Sequence, residues 1–309
     1  MDLTAGNNLK PILTAFGANL AIALAKTAAA LVTGSSSLMA ESLHSFADCG
    51  NQILLLIGMK QARKAPTKAH PLGFGKETHF WALMVALLLF SVGGGFSIYH
   101  GIEALNHPHP VKYLGYSIAV LAFAVVAEGY ALRGALRAAS KERGSQSLWQ
   151  WFRSTRQSSL LVVVTEDVAA LAGLAIALVA LVATAITGNP IFDAIGTVVV
   201  GVLLCTVALL VTLEVKSLSV GESIPPALEA EIRAFVESQP EVEHVIAMIT
   251  QDHVYYIQVA LKVQMKRMGS DLALIKAIDE VEDRMQRRFT SPMLKFSFFE
   301  PDIGEPMAA

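Results

Sequence analysis

Ser35-Ser-Ser-Leu-Met-Ala-Glu41-Ser-Leu-His44-Ser-Phe-Ala-Asp48-Cys-Gly-Asn51-Gln52, running straight into the apolar block Ile53-Leu-Leu-Leu-Ile-Gly58, is the stretch on which the reading of the chain turns. Glu41, His44, Asp48 and Asn51 recur at steps of three and four, so on a 3.6-residue helix they form one polar stripe down an otherwise apolar cylinder. In a bilayer that stripe is expensive, since a carboxylate at the membrane centre costs about 2.5–3.5 kcal/mol on insertion scales. Such groups face a cavity or another helix and mark ion or proton paths; the plainer alternative is an interhelical hydrogen-bond patch. His44 and Asp48, at i and i+4, can also aim two metal-ligating atoms at one point.

Composition sets the surroundings of this helix. Of 309 residues, 53% are hydrophobic and 16% charged, against about a quarter charged in a soluble domain, so the chain reads as a membrane protein. A net charge of -2 gives no sign of a nucleic-acid surface. Cys49 and Cys205 both fall inside apolar segments and offer neither a disulfide framework nor a CxxC knuckle. Cys49, about 100° round the helix from Asp48, reads as a small packing residue. No cleavable signal peptide is evident, because the first apolar segment is long and leads directly into the polar-striped helix.

Six segments are long enough to span a 30 Å hydrocarbon layer: Leu13 to Val32, Leu38 to Met59, His79 to Leu105, Leu114 to Leu136, Ser159 to Ile186 and Ile191 to Leu213. The connections Thr33–Ser37, Asn106–Tyr113 and Thr187–Pro190 carry only Lys112 as a basic residue. The other two carry Lys60, Arg63, Lys64, Lys68 and Lys76, and Arg137, Lys141, Arg143, Arg153 and Arg156. The positive-inside rule makes both of these cytoplasmic, and both termini with them.

Other polar residues sit within the spans. Lys26 reads as a structural counter-ion, either for Glu128 or for the carboxylates of the stripe, rather than as a ligand. Asp193, close to water at the outer edge, suits an N-cap or an entrance as well as binding. Glu128 lies near mid-span, and Gly93-Gly94-Gly95 permits close helix contact or a kink.

After Glu214 the composition changes. Pro225-Pro226 opens an amphipathic helix with Leu228, Ile232, Phe235 and Val236 on its apolar face. Strand-like runs follow at Val245–Thr250 and Val254–Val263, then a helix from Asp271 to Phe289 and a last strand at Leu294–Phe299. The order α-β-β-α-β is that of a small two-layer α+β unit. The expected division is therefore a six-helix transmembrane domain over 1–215 and a cytosolic domain over 216–309.

A transported divalent cation needs His and carboxylate ligands gathered at membrane depth, and His44 with Asp48 is half of a tetrahedral site. Glu166-Asp167 is the acidic pair that complements it; adjacent helical residues diverge by about 100°, so one is expected to ligate and the other to carry protons or pack. Imidazole with carboxylates suits Zn²⁺, Fe²⁺, Co²⁺ or Mn²⁺, whereas Cu⁺ would want sulfur. Ligands must shed protons to bind metal, which gives metal/proton antiport a physical basis.

These features carry a resemblance. The six-span layout, His44-x-x-x-Asp48 in the second span, His70-Pro-Leu-Gly-Phe-Gly-Lys76 in a cytosolic loop and Asp167 in the fifth span resemble the cation diffusion facilitator (CDF) family over essentially the whole chain. The likeness implies a homodimer exporting divalent metal from the cytosol in exchange for protons by alternating access. It also implies a ferredoxin-like cytosolic domain and a site of His44, Asp48 and Asp167, with a further fifth-helix ligand four residues before the aspartate. That place holds Val163, which cannot ligate. Thr165-Glu166-Asp167, Asn51-Gln52 and Glu128-Gly-Tyr resemble instead the branch containing the mitochondrial zinc transporter, so Glu166 or Asn51 is expected to replace the missing ligand.

Phe74 stands where some relatives have a second loop histidine beside His70, which argues against an accessory metal site there. Phe298 or Phe299 occupies the tail's expected histidine place, leaving His244, Asp252, His253 and Glu300 better read as surface residues. His107 and His109 flank Pro108 as loop residues. No catalytic residue and no resident cofactor are expected, since HExxH, GxSxG and a P-loop are missing from the sequence. The expected partners are the metal ion, Zn²⁺ first, protons, lipid and a second copy of the chain, in a bacterial inner membrane. A non-transporting metal sensor or scaffold acting through the tail is the alternative.

Overall fold

A computed structural model describes residues 9–302 except 156, 255 and 291–293. The chain divides into two compact units, Met1–Lys216 and Ser217–Ala309. In the first, α1 (Leu9–Thr33) and α2 (Ser36–Ala62) are followed by α3 (Glu77–Leu88), which continues through a π-helical turn at Leu89–Gly95 into α4 (Phe96–Asn106). Then come α5 (Leu114–Arg143), a short α6 (Leu148–Ser154), α7 (Ser158–Thr187) and α8 (Ile191–Val220).

Among the described residues four helical stretches are long and apolar enough to cross a membrane: Glu77–Asn106, Leu114–Arg143, Ser158–Thr187 and Ile191–Val220. Of α1, Asn19–Thr33 is apolar but shorter. The polar stripe of α2 offsets its apolar face, so composition alone does not mark α2 as a span. The helices also run past the expected hydrophobic limits, α5 to Arg143 instead of Leu136 and α8 to Val220 instead of Leu213. Apolar content sets where a span ends, but a helix continues as long as its backbone bonds are made. The basic connection after α5 is ordered by Glu142, whose carboxylate accepts from Trp151 Nε1 and Thr155 Oγ1, both at 2.9 Å, and ties α6 back onto α5. Arg156, assigned above to this connection, lies outside the described residues.

Burial in this unit is inverted relative to a soluble protein. Phe123, Val126 and Val179 are 67%, 72% and 70% exposed on helix faces, while Lys26, Glu41 and His44 are buried. An outward apolar belt around a polar interior is stable only in lipid, so this is an integral membrane unit. Small residues let its helices approach. A Cβ added to Gly201 of α8 would stand 2.8 Å from the Ile98 amide and 2.9 Å from the Gly94 carbonyl, so α8 meets the π-turn and α4 backbone to backbone.

The second unit has α9 (Pro226–Glu237), β1 (Val242–Asp252), β2 (Ile257–Met265), α10 (Asp271–Arg288) and β3 (Leu294–Asp302). The sheet runs β1-β2-β3, with β1 antiparallel and β3 parallel to β2. Alternation of Ile257, Val259, Leu261 and Val263 puts one face of β2 against Ile232, Val236, Val281 and Met285 of the two helices.

Candidate metal centre

Glu41, His44 and Asn51 are buried on one side of α2, and Asp48 is 15% exposed there. His44 Nδ1 stands 3.6 Å from Asp48 Oδ1. Two ligands held about 2.1 Å from one tetrahedral Zn²⁺ stand about 3.4 Å apart, so this spacing fits a pair sharing an ion. Gly93 of the π-turn faces the imidazole: a Cβ there would come within 3.7 Å of His44 Nδ1. A π-turn of this kind, common at functional sites, thus borders the stripe.

Opposite stands α7. Asn51 Nδ2 donates to Glu166 Oε1 at 2.6 Å. The Glu166 and Asp48 carboxyl groups are near enough that a charge on one opposes a charge on the other. A proton or a cation between them would relieve that repulsion. Asp167, one residue on, is half-buried and turns another way, with Glu166 and Glu128 of α5 as its charged neighbours. Val163 packs beside an apolar cluster containing Leu55, Ala82 and Val85. Of the residues singled out in the sequence, the fold therefore gathers His44, Asp48, Asn51 and Glu166 and leaves Asp167 on the flank with Glu128.

This group is short of partners. Both nitrogens of His44, Asp48 Oδ1, Asn51 Oδ1, Gln52 Oε1 and both oxygens of Glu41 are buried without a hydrogen bond among the described residues. Buried polar atoms are ordinarily satisfied, so a row of orphans on one helix face is unusual. Among the described residues no three His, Cys, Asp or Glu side chains converge into a ready coordination sphere. His44 and Asp48 form a half-site, and Glu166 adjoins it through Asp48.

Lys26 is the counter-ion of Glu41, with Nζ 3.5 Å from Glu41 Oε2 and donating to Ser45 Oγ at 2.9 Å. Asp193 is a cap for a helix other than its own. Its carboxylate accepts from the Ser36 amide at 2.7 Å, from the Ser35 hydroxyl at 3.1 Å and from the Ser37 hydroxyl, neutralising the amino end of α2. The Ser35-Ser36-Ser37 run signals a helix start, but nothing local names the acid 158 residues away that completes it. Sequence reading also missed His79, buried and bonded through Nδ1 to Ser158 Oγ at 2.9 Å, which ties α3 to α7.

The peripheral candidates are spent locally. His70 rests on the Phe74 ring with centroids 4.7 Å apart. His244 pairs with Glu237 at 3.3 Å, Asp252 accepts from the Val254 amide at 2.7 Å, and Glu300 lies 3.8 Å from Lys262. His253, read above as a surface residue, is 5% exposed and stacks on Tyr256. Burying its imidazole against an aromatic face and bonding Nε2 to Gln258 at 3.2 Å satisfies it within the fold.

Residues 12–218 match the cation efflux transmembrane domain family. Over 220 residues, 70% of this chain and 39% of the relative, the sequence is 36% identical to "Proton-coupled zinc antiporter SLC30A9, mitochondrial" of Xenopus laevis. It is 34% identical to the Homo sapiens protein of that name over 215 residues, 69% of this chain and 38% of the relative. It is 30% identical to "Metal tolerance protein C4" of Arabidopsis thaliana over 245 residues, 79% and 54% of the two chains. The chain thus spans about two-fifths of the length of the antiporters it matches. Those antiporters are named mitochondrial, and the bacterial inner membrane expected from sequence finds no support in them. With two-thirds of its length matched, the chain belongs to the cation efflux family.

Proposed function

We propose that this chain is a secondary transporter that exchanges a divalent metal ion, Zn²⁺ first, for protons by alternating access. The metal is substrate, held by His44, Asp48 and Glu166, with Asn51 orienting Glu166. Asp167, beside Glu128, carries protons toward or away from the site. The observation that carries this reading is the row of buried, unpartnered ligand atoms on α2 opposite Glu166. A divalent cation would satisfy the His44 and Asp48 atoms of that row together with Glu166, and a proton between Asp48 and Glu166 would satisfy part of them in its place. Loading metal must therefore displace at least the shared proton, which is the coupling. One imidazole with carboxylates is borderline-to-hard chemistry, suited to Zn²⁺ and open to Mn²⁺, Fe²⁺ and Co²⁺. Relatives named as zinc antiporters support Zn²⁺ among these.

The reading includes six spans, with α1 and α2 crossing beside the four more apolar stretches. Crossing a bilayer suits α2 because its polar face is turned inward against α1 and α7 while Phe46 and Ile53 are exposed on its surface. It includes both termini on the side of the basic connections, a transmembrane transport domain followed by a ferredoxin-like cytosolic domain, and a two-fold dimer, the last supported by family likeness alone. The test is uptake by the purified chain in proteoliposomes loaded with a pH dye, with the four ions in competition. Zn²⁺ entering against a proton counterflow is expected. Failure to move any of the four ions would overturn transport in favour of a sensor or scaffold.

A further inference from the structure

The transmembrane unit has a second place where imidazole and carboxylate meet. A cavity of about 300 Å³ opens between the ends of α1, α2, α4 and α8, with Met39, His100, Glu103, His107, His109 and Asp193 among its lining residues. His100 Nδ1 and Glu103 Oε2, one turn apart on α4, are 3.6 Å from each other. That is the spacing of His44 Nδ1 and Asp48 Oδ1, and again close to the roughly 3.4 Å between two ligands on one tetrahedral Zn²⁺. His107 caps α4, its amide bonded to the Glu103 carbonyl at 2.9 Å, which sets its backbone one turn beyond the pair. Asp193 is committed to the amino end of α2 and is not available as a ligand. The connection carrying His107 and His109 is tied to α1, since the Lys112 amide donates to the Thr33 carbonyl at 2.7 Å.

Position gives this cluster a use. Met39 on the cavity wall precedes His44 by five residues, about 7.5 Å along α2 at 1.5 Å per residue. The lining comes from the connections poor in basic residues, which in the proposed topology face away from the cytosol. We propose that this cavity is a second divalent-cation site, at the outer end of the path. His100 and Glu103 are its two protein ligands, and water completes the sphere, with His107 and His109 also on the cavity wall. The inference rests on the transport reading for its role, because a low-affinity site here receives the ion as it leaves His44 and Asp48. It does not rest on that reading for its existence.

The test is equilibrium Zn²⁺ binding by the full chain in detergent at neutral pH, in a His44→Ala/Asp48→Ala background that removes the central half-site. Expected is about one Zn²⁺ per chain, weaker than in the unaltered protein, lost when His100→Ala and Glu103→Gln are added. Thermal unfolding of each variant checks that it is folded; both added substitutions are at a partly exposed helix end and are expected to leave it unchanged. No Zn²⁺ bound in the background variant would overturn the site and reduce His100–Glu103 to a surface ion pair. Binding that survives His100→Ala/Glu103→Gln would also overturn it, because the ion would then be held elsewhere. Failure of the transport reading shows separately, as no Zn²⁺ flux through the unaltered chain in vesicles, an outcome that leaves Zn²⁺ binding at His100 and Glu103 in place.

Discussion

The side-chain amide of Asn51 on α2 donates to Glu166 on α7 at 2.6 Å, joining residues 115 apart in sequence. The bond orients an acid that would otherwise have several rotamers open to it, and it links the two helices that carry the proposed ligands. Groups that orient a metal ligand typically contribute 10–100-fold to metal affinity. Asn51→Leu, close in volume and unable to donate, is expected to raise the Zn²⁺ concentration at half-maximal flux by about 10–100-fold. Maximal flux is expected to fall less. Zn²⁺ titration of vesicle uptake separates the two parameters.

Lys26 and Glu41 form a pair with side chains 2% and 1% exposed. Removing one partner of a buried pair strands the other charge, at a cost of about 3–5 kcal/mol. Lys26→Met and Glu41→Gln are each expected to lower the unfolding temperature in detergent, Lys26→Met the more. The double variant is expected to recover most of the loss. Additive losses in the thermal melts would mean that the two groups do not depend on each other.

Asp193 holds the amino end of α2 through two serine hydroxyls and the Ser36 amide. Asp193→Ala is expected to destabilise the unit by about 1–2 kcal/mol, as loss of a strong N-cap does. Asp193→Asn keeps one accepting oxygen but not the charge and is expected to cost less. Hydrogen exchange over Ser36–Glu41 should quicken in the alanine variant while α7 is unaffected.

Much of this architecture is legible in the residues themselves. Apolar runs locate the long helices, and the three-and-four spacing of Glu41, His44, Asp48 and Asn51 identifies the buried side of α2, because both signals are local and periodic. The tail's α-β-β-α-β order follows from the same logic, with the alternation at Ile257–Val263 marking the strand that lies at the sheet centre. What is not legible depends on contacts between distant segments. Lys26 had two possible counter-charges, and only the packing of α1 on α2 selects Glu41 and Ser45. Glu166 and Asp167 are equivalent in sequence, and the rotation of α7 decides which one meets Asn51. The π-turn at Leu89–Gly95 was readable only as a permissive glycine run, since adding one residue to a helical turn leaves no compositional mark. His253 looked like a surface residue until Tyr256 folded over it.

Zn²⁺-driven proton movement by Glu166→Gln, compared with Asp167→Asn in parallel vesicles, bears most directly on the proposed centre. Glu166→Gln keeps the shape and the bond to Asn51 but removes the charge and, with it, the proton proposed to be shared with Asp48. It is expected to abolish both Zn²⁺ uptake and the coupled pH change, whereas Asp167→Asn should still bind Zn²⁺ and lose chiefly the proton counterflow. Zn²⁺ uptake and proton counterflow through Glu166→Gln at the rates of the unaltered chain would contradict a centre built on His44, Asp48 and Glu166.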